Sequence, residues 1–274
     1  MDDNEKISLG GANGNKPPQN NIPIDNEFQV PSESVLLPSK GAFYPNGKNS
    51  VIISYMTSES DNILFSTDLI KSGKVLDVLL ENQILDKDLR PDDMISGDRN
   101  FLLIEIRKTG FGAEYYPGII TCGSCGQDDK PVADLNKLKP KMLEVMPDEI
   151  GEYPLMLPVT KMNIKFRLLR GSDEKRLSKL IESGQKKSGG YKVSRLITER
   201  YLLQIMDVNG NRDKIYISKF INIMPTKDSL FFRQYNKEIE PGINLNYEFE
   251  CPYCNHVEEK NIPINSALFY PDLD

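Results

Sequence analysis

Apolar positions along this chain come in short runs whose spacing alternates between the period of a strand and that of a helix. The run Val51-Ile52-Ile53-Ser54-Tyr55-Met56 is β-branched and aromatic and predicts a strand. Thr57 or Ser58 then caps a helix, with Asp61 near the first-turn amides and Leu64, Leu69 and Ile70 on the same segment. A second helix is predicted over 74–81, presenting Val75, Leu76, Val78, Leu79 and Leu80 behind a cap at Ser72 or Gly73. Asp92-Asp93 and Asp98 mark a further start ahead of the apolar run from Phe101 to Ile106. A strand is predicted over 115–121, a polar, proline-punctuated stretch over 126–150, and a strand pair near 153–159 and 162–169. Gly171-Ser172-Asp173-Glu174 opens an amphipathic helix with Leu177, Leu180 and Ile181 on one face. A loop at Lys186-Lys187-Ser188-Gly189-Gly190, a helix over 194–206, the turn Asn209-Gly210-Asn211, the apolar segment 215–220 and a last strand over 244–250 complete the series.

Two stretches of this series follow one plan. The strand and cap of Val51 to Asp61 recur as Lys165-Phe166-Arg167-Leu168-Leu169-Arg170-Gly171-Ser172-Asp173-Glu174. Met94-Ile95-Ser96-Gly97-Asp98 leads to Phe101-Leu102, and Met224-Pro225-Thr226-Lys227-Asp228 leads to Phe231-Phe232. Asp98 precedes Cys122 by 24 positions and Asp228 precedes Cys251 by 23. The near-equal offset predicts an internal duplication.

The four cysteines form two Cys-x-x-Cys pairs, Cys122/Cys125 and Cys251/Cys254, each entered from a predicted strand. A tight Cys-x-x-Cys turn supplies half of a tetrahedral thiolate site, so two turns complete one site for a structural zinc ion. Gly126 follows the first pair, and Asn255, which tolerates a left-handed backbone, follows the second. An iron–sulfur cluster could use the same ligands. A redox pair is usually single and set at a helix N-terminus, and disulfides conflict with a reducing compartment. Four thiolates leave no open position for catalysis, so the site supports architecture, with zinc contributing on the order of 10 kcal/mol to folding.

Composition narrows the remaining classes. The chain carries 34 Lys+Arg against 40 Asp+Glu, a net charge of −6, which argues against sequence-blind nucleic-acid binding. No run approaches the ~20 apolar residues needed to span a bilayer. The acidic start Met1-Asp2-Asp3-Asn4-Glu5 is not a secretory signal, which places the chain in the cytosol in which it is made. The sole histidine is His256, and no nucleophile elbow, Walker loop or dinucleotide fingerprint is present, so no enzyme is indicated. Lys186, Lys187, Arg195 and Arg200 read as a solvated helix face rather than a basic patch. The expectation is an α+β fold with a disordered arm over 1–34 and two related strand–helix–strand units over 35–150 and 151–274. Each unit ends in a zinc knuckle, and one four-cysteine site joins them.

Several ordered motifs resemble the T-even-type bacteriophage baseplate protein family, the hub-assembly proteins of contractile tails. They are Leu37-Pro38-Ser39-Lys40-Gly41-Ala42-Phe43-Tyr44-Pro45, Ser96-Gly97-Asp98-Arg99-Asn100-Phe101-Leu102-Leu103 and Gly110-Phe111-Gly112-Ala113-Glu114-Tyr115. They continue with Phe166 to Lys175, Ile239-Glu240-Pro241-Gly242 and Phe269-Tyr270-Pro271. The resemblance runs from residue 35 to the end, with both cysteine pairs in place. It implies a non-enzymatic assembly or structural protein of the baseplate hub, working in the infected bacterial cytoplasm or the virion tail. Other hub proteins would be its partners, and membrane and nucleic acid would not. The entry around Pro38 and the terminal Leu268-Phe269-Tyr270-Pro271 are candidates either for hub contacts or for core packing. The alternative function is a zinc-knuckle nucleic-acid-binding regulator.

Overall fold

The computed structural model describes residues 29–185 and 195–270, and Pro31 onward forms one compact unit. The expected arm up to residue 28, the 186–190 loop, Ser194, Pro271 and the side chain of Ile181 lie outside the described residues.

The chain enters through a hairpin in which β1 (Ser32–Leu36) pairs antiparallel with β2 (Ser50–Ser54). Strand alternation sends Val35, Val51 and Ile53 into the core and leaves Leu36 and Ile52 outside. The first strand thus begins three residues before the expected boundary of the first unit. The helix expected after Thr57 is two, α1 (Ser58–Leu64) and α2 (Thr67–Lys71), because the extended backbone of Ser66 starts a new one. Gly73, at φ +65°, turns the chain into α3 (Val75–Gln83). Ile84 then leaves that helix as an extended residue, bridges to Ile53, and lets the Leu85 N–H donate to the Ile52 carbonyl.

Helix α4 (Ser96–Phe111) is the centre of the molecule. Phe101, Leu102, Leu103, Ile104 and Ile106 are all buried, which is the signature of a helix surrounded by protein. The strand expected over 115–121 is interrupted at Pro117-Gly118, where Gly118 takes φ +81°. It becomes β3 (Glu114–Tyr115) and β4 (Ile120–Thr121). The polar stretch beyond holds β5 (Asp128–Asp129), β6 (Ala133–Asp134) and β7 (Pro140–Lys141), pieces too short for a hydrophobic period to reveal. β4 pairs with β5, and β3 with β6.

The second hairpin, β8 (Tyr153–Met156) with β9 (Asn163–Phe166), is antiparallel and extended by β10 (Ile205–Val208) into a three-stranded sheet. Pro154 is tolerated because β8 is the edge strand. Helices α5 (Gly171–Gln185) and α6 (Leu196–Gln204) intervene. The helix expected over 194–206 therefore ends two residues early, since Ile205 pairs with Phe166 and Val208 with Ile164. Then come α7 (Lys214–Ile223), α8 (Thr226–Ile239), β11 (Gly242–Ile243), β12 (Asn246–Glu250) and β13 (Val257–Asn261). β11 pairs with β7, and β12 with β13.

One hydrophobic core runs from Val35 to Phe269. Its aromatic centre is Phe166, edge-on to Phe232 at 4.9 Å and stacked on Tyr153 at 5.7 Å. Leu37 and Tyr44 at the entry and Leu268 and Phe269 at the end are all buried here, so these side chains are core rather than contact surface. Arg107 fastens the terminus: its buried guanidinium donates to the carbonyls of Leu268, Gly112 and Glu114.

Candidate metal centre

Each cysteine pair sits on a turn between two antiparallel strands, and the two turns share their hydrogen bonds position for position. In the first, the Cys122 N–H donates to the Gln127 carbonyl at 2.9 Å and the Gly126 N–H to the Cys122 carbonyl at 3.0 Å. In the second, the Cys251 N–H donates to the His256 carbonyl and the Asn255 N–H to the Cys251 carbonyl, both at 2.9 Å. Gly126 at φ +72° and Asn255 at φ +55° occupy the left-handed position that closes each turn.

The fold brings the two turns face to face. Cys122 Sγ lies 3.8 Å from Cys254 Sγ, and Cys125 Sγ lies 3.6 Å from Cys251 Sγ. All four sulfurs fall within 4.8 Å of one another. With Zn–S bonds of about 2.3 Å, a tetrahedral site has S···S edges of about 3.8 Å, so the donor set fits a dication at its centre. The four thiols are free, and their separations are far beyond an S–S bond of about 2.05 Å. Cys122 and Cys251 are buried, whereas Cys125 and Cys254 are exposed. His256 is exposed and contributes its backbone carbonyl, while among the described residues the ligand cluster consists of the four cysteines.

The electrostatics ask for a cation. The amides of Cys125 and Ser124 pull the Cys122 thiol down to about 6. Cys125, although it receives a lowering contact from the Gln127 amide, is pushed up to about 12 by partial desolvation and by the neighbouring sulfurs of Cys254, Cys251 and Cys122. Four sulfurs at this spacing cannot all ionise unless positive charge sits among them.

Packing holds the two turns in place. Phe249 is buried with Cys122 and Cys251, and Ile120 and Tyr247 pack on that cluster. Tyr247 also packs on the main core, linking the centre to the body of the fold. Glu258 on β13 reaches across to accept the Gly123 N–H at 3.1 Å, and Lys260 lies 3.1 Å from the same carboxylate. That amide contact, with Lys260 behind it, lowers the Glu258 carboxyl below its usual range. Glu258 was not singled out from the sequence, where it is one of several acidic residues after the second pair. Arg200 pairs with Glu174 at 3.3 Å, Arg195 is exposed, and Lys186 and Lys187 lie outside the described residues.

Among the described residues, no helix is long and apolar enough to cross a membrane. No curated protein and no solved structure matches the chain. A family model does: residues 44–269 match the one described as T4 bacteriophage base plate protein.

Proposed function

Because the chain belongs to the T4 bacteriophage base plate protein family, we propose that it is a non-enzymatic structural or assembly protein of the baseplate hub, stapled by one structural zinc ion. Membership of the family carries the baseplate role, with other baseplate proteins as partners and the virion tail as its place. The observation behind the staple is that Cys125 and Cys251, 126 positions apart, meet at 3.6 Å in a four-sulfur cluster of tetrahedral dimensions. Cys122, Cys125, Cys251 and Cys254 would hold the ion, which supplies charge neutralisation and a cross-link and leaves no coordination position for a substrate.

In this reading the chain is two related units, 35–150 and 151–274, each contributing one knuckle. Metal binding closes the long loop between them and couples their stability. Function then lies in shape and contact surface rather than turnover. Affinity capture of the zinc-loaded chain from infected cells tests the partner class: recovery of baseplate hub proteins supports the reading. Salt-sensitive retention on nucleic acid without hub proteins would replace it with a nucleic-acid-binding role.

A further inference from the structure

The two units proposed above correspond in detail, and the correspondence exposes an unfilled contact. Leu37-Pro38 and Leu157-Pro158 each follow the first strand of a hairpin, and each turn contains a lysine in the left-handed region, Lys40 at φ +54° and Lys161 at φ +56°. Gln83-Ile84 and Gln204-Ile205 each end a helix and return to the sheet, at Ile53 and Phe166. Thr57 N–H donates to the Ser60 hydroxyl at the start of α1, as Arg170 N–H donates to the Asp173 carboxylate at the start of α5. These pairs set Met56 against Leu169, Ser58 against Gly171 and Asp61 against Glu174. The cysteine and helix registers set Met94 against Met224, Ser96 against Thr226 and Phe101 against Phe231.

Within the chain, the start of α4 in the first unit docks on the start of α5 in the second. Ser96 N–H donates to the Leu169 carbonyl and Gly171 N–H to the Met94 carbonyl, both at 2.9 Å, and the Ser96 hydroxyl meets Glu174 at 3.1 Å. This contact is heterologous: one face belongs to the first unit and a different face to the second. Each unit therefore has a counterpart of the face it does not use. On the second unit, Thr226 is exposed where Ser96 is buried, and near it in the chain Ile223, Leu230 and Phe231 are 78%, 46% and 37% exposed. On the first unit, Ser58 is exposed where Gly171 is buried, and near it in the chain Tyr55 is 37% exposed.

We propose that these two open faces bind each other between copies, so that the chain associates head to tail through a repeat of its own internal contact. The corner of α7 and α8 of one copy receives the start of α1 of the next, as α4 receives α5 inside the chain. Charge agrees: Lys214, Lys219 and Lys227 are exposed on α7 and α8, whereas Glu59 and Asp61 lie in the first turn of α1. A heterologous contact of this kind gives a ring if its rotation closes and an open chain if it does not. The inference rests on the two-unit reading.

Sedimentation velocity of the full metal-loaded chain over a wide concentration range tests it. The wild-type chain is expected to associate beyond a dimer as concentration rises. Phe231→Glu and Tyr55→Glu, each on an exposed side chain and each spoiling one face, are expected to be monomeric alone. Mixed together they retain one good face apiece and are expected to form a dimer that grows no further. Metal content and circular dichroism of the same samples report the staple and the fold separately. A wild-type chain that carries its metal and stays monomeric throughout overturns the head-to-tail contact while leaving the staple intact. Oligomers that survive both substitutions overturn it equally.

Discussion

Asp98 and Asp228 stand 130 positions apart and hold the same place: each is the third residue of its helix, each is fully buried, and each grips the turn after a Leu-Pro pair. Asp98 accepts the Ser39 N–H at 3.0 Å and the Tyr44 hydroxyl at 2.6 Å, while Asp228 accepts the N–H groups of Val159 at 2.7 Å and Thr160 at 3.0 Å. Both carboxylates thus join a helix N-terminus, where negative charge is favoured, to loop amides that the turn's own backbone bonds leave over. Asp98→Ala strands two buried donors and is expected to cost about 2–4 kcal/mol in urea unfolding, and Asp228→Ala, whose donors on Val159 and Thr160 are part-buried, about 1–3 kcal/mol. A cost near zero at either position would show that the loop is held elsewhere.

Arg107 is expected to control the order of the terminus. Its three carbonyl contacts tie the segment that follows α4 to the turn at Leu268, and its guanidinium lies 5.1 Å from the Phe111 ring. Arg107→Ala should destabilise the chain by about 3 kcal/mol and raise hydrogen exchange around residues 266–270 first. Uniform exchange across the chain would contradict this local role.

Gly97 marks where α4 meets the strand after α8. A Cβ added there would lie 1.8 Å from the Pro241 carbonyl oxygen, and backbone cannot step aside as a flexible side chain does. Gly97→Ala is expected to cost more than about 3 kcal/mol or to prevent soluble expression. Gly47→Ala is the control: its added Cβ meets nothing within 4 Å, so its effect comes only from a left-handed φ of +64° and should stay near 1 kcal/mol.

Stability should fall between weakly acidic and neutral pH because of Glu240. Burial raises its carboxyl from 4.5 to about 7, opposed by Arg200 on α6 and Lys141 on β7 and assisted by Glu174 on α5; Lys237 and Glu238 lie in the last turn of α8, which Glu240 follows. The folded value lies above the unfolded one, so this contribution is complete below about pH 4.5 and is lost as pH rises through 7. Glu240→Gln should flatten that decline, by on the order of 2 kcal/mol, in denaturant midpoints taken across the range. An unchanged profile in the variant would assign the pH dependence to other groups.

What could be read before the structure depended on how local the signal was. Both Cys-x-x-Cys turns, the hairpin cores and the Asp98 and Asp228 offsets are written in neighbouring residues. A strand after the second cysteine pair is expected from the strand–CxxC–strand plan, but the bounds of β13 are not legible, because Val257-Glu258-Glu259-Lys260-Asn261 has one apolar residue and its pairing is imposed by the knuckle turn. The change from α6 to β10 was missed because Leu203-Gln204-Ile205-Met206 suits either period, and only pairing with β9 decides it. The Asp grips on the Leu-Pro turns join residues 59 and 69 positions apart, which spacing alone does not reveal. The terminal Phe269 looked equally fit for a partner or for the core until α4 was seen to bury it.

The most direct test of the central claim is metal content measured against protein mass on the purified chain, followed by chelation. One zinc per chain is predicted, with loss of folded structure on chelation and in Cys251→Ser. A chain that folds without metal, or that carries iron with a visible absorption band, would contradict the structural zinc staple.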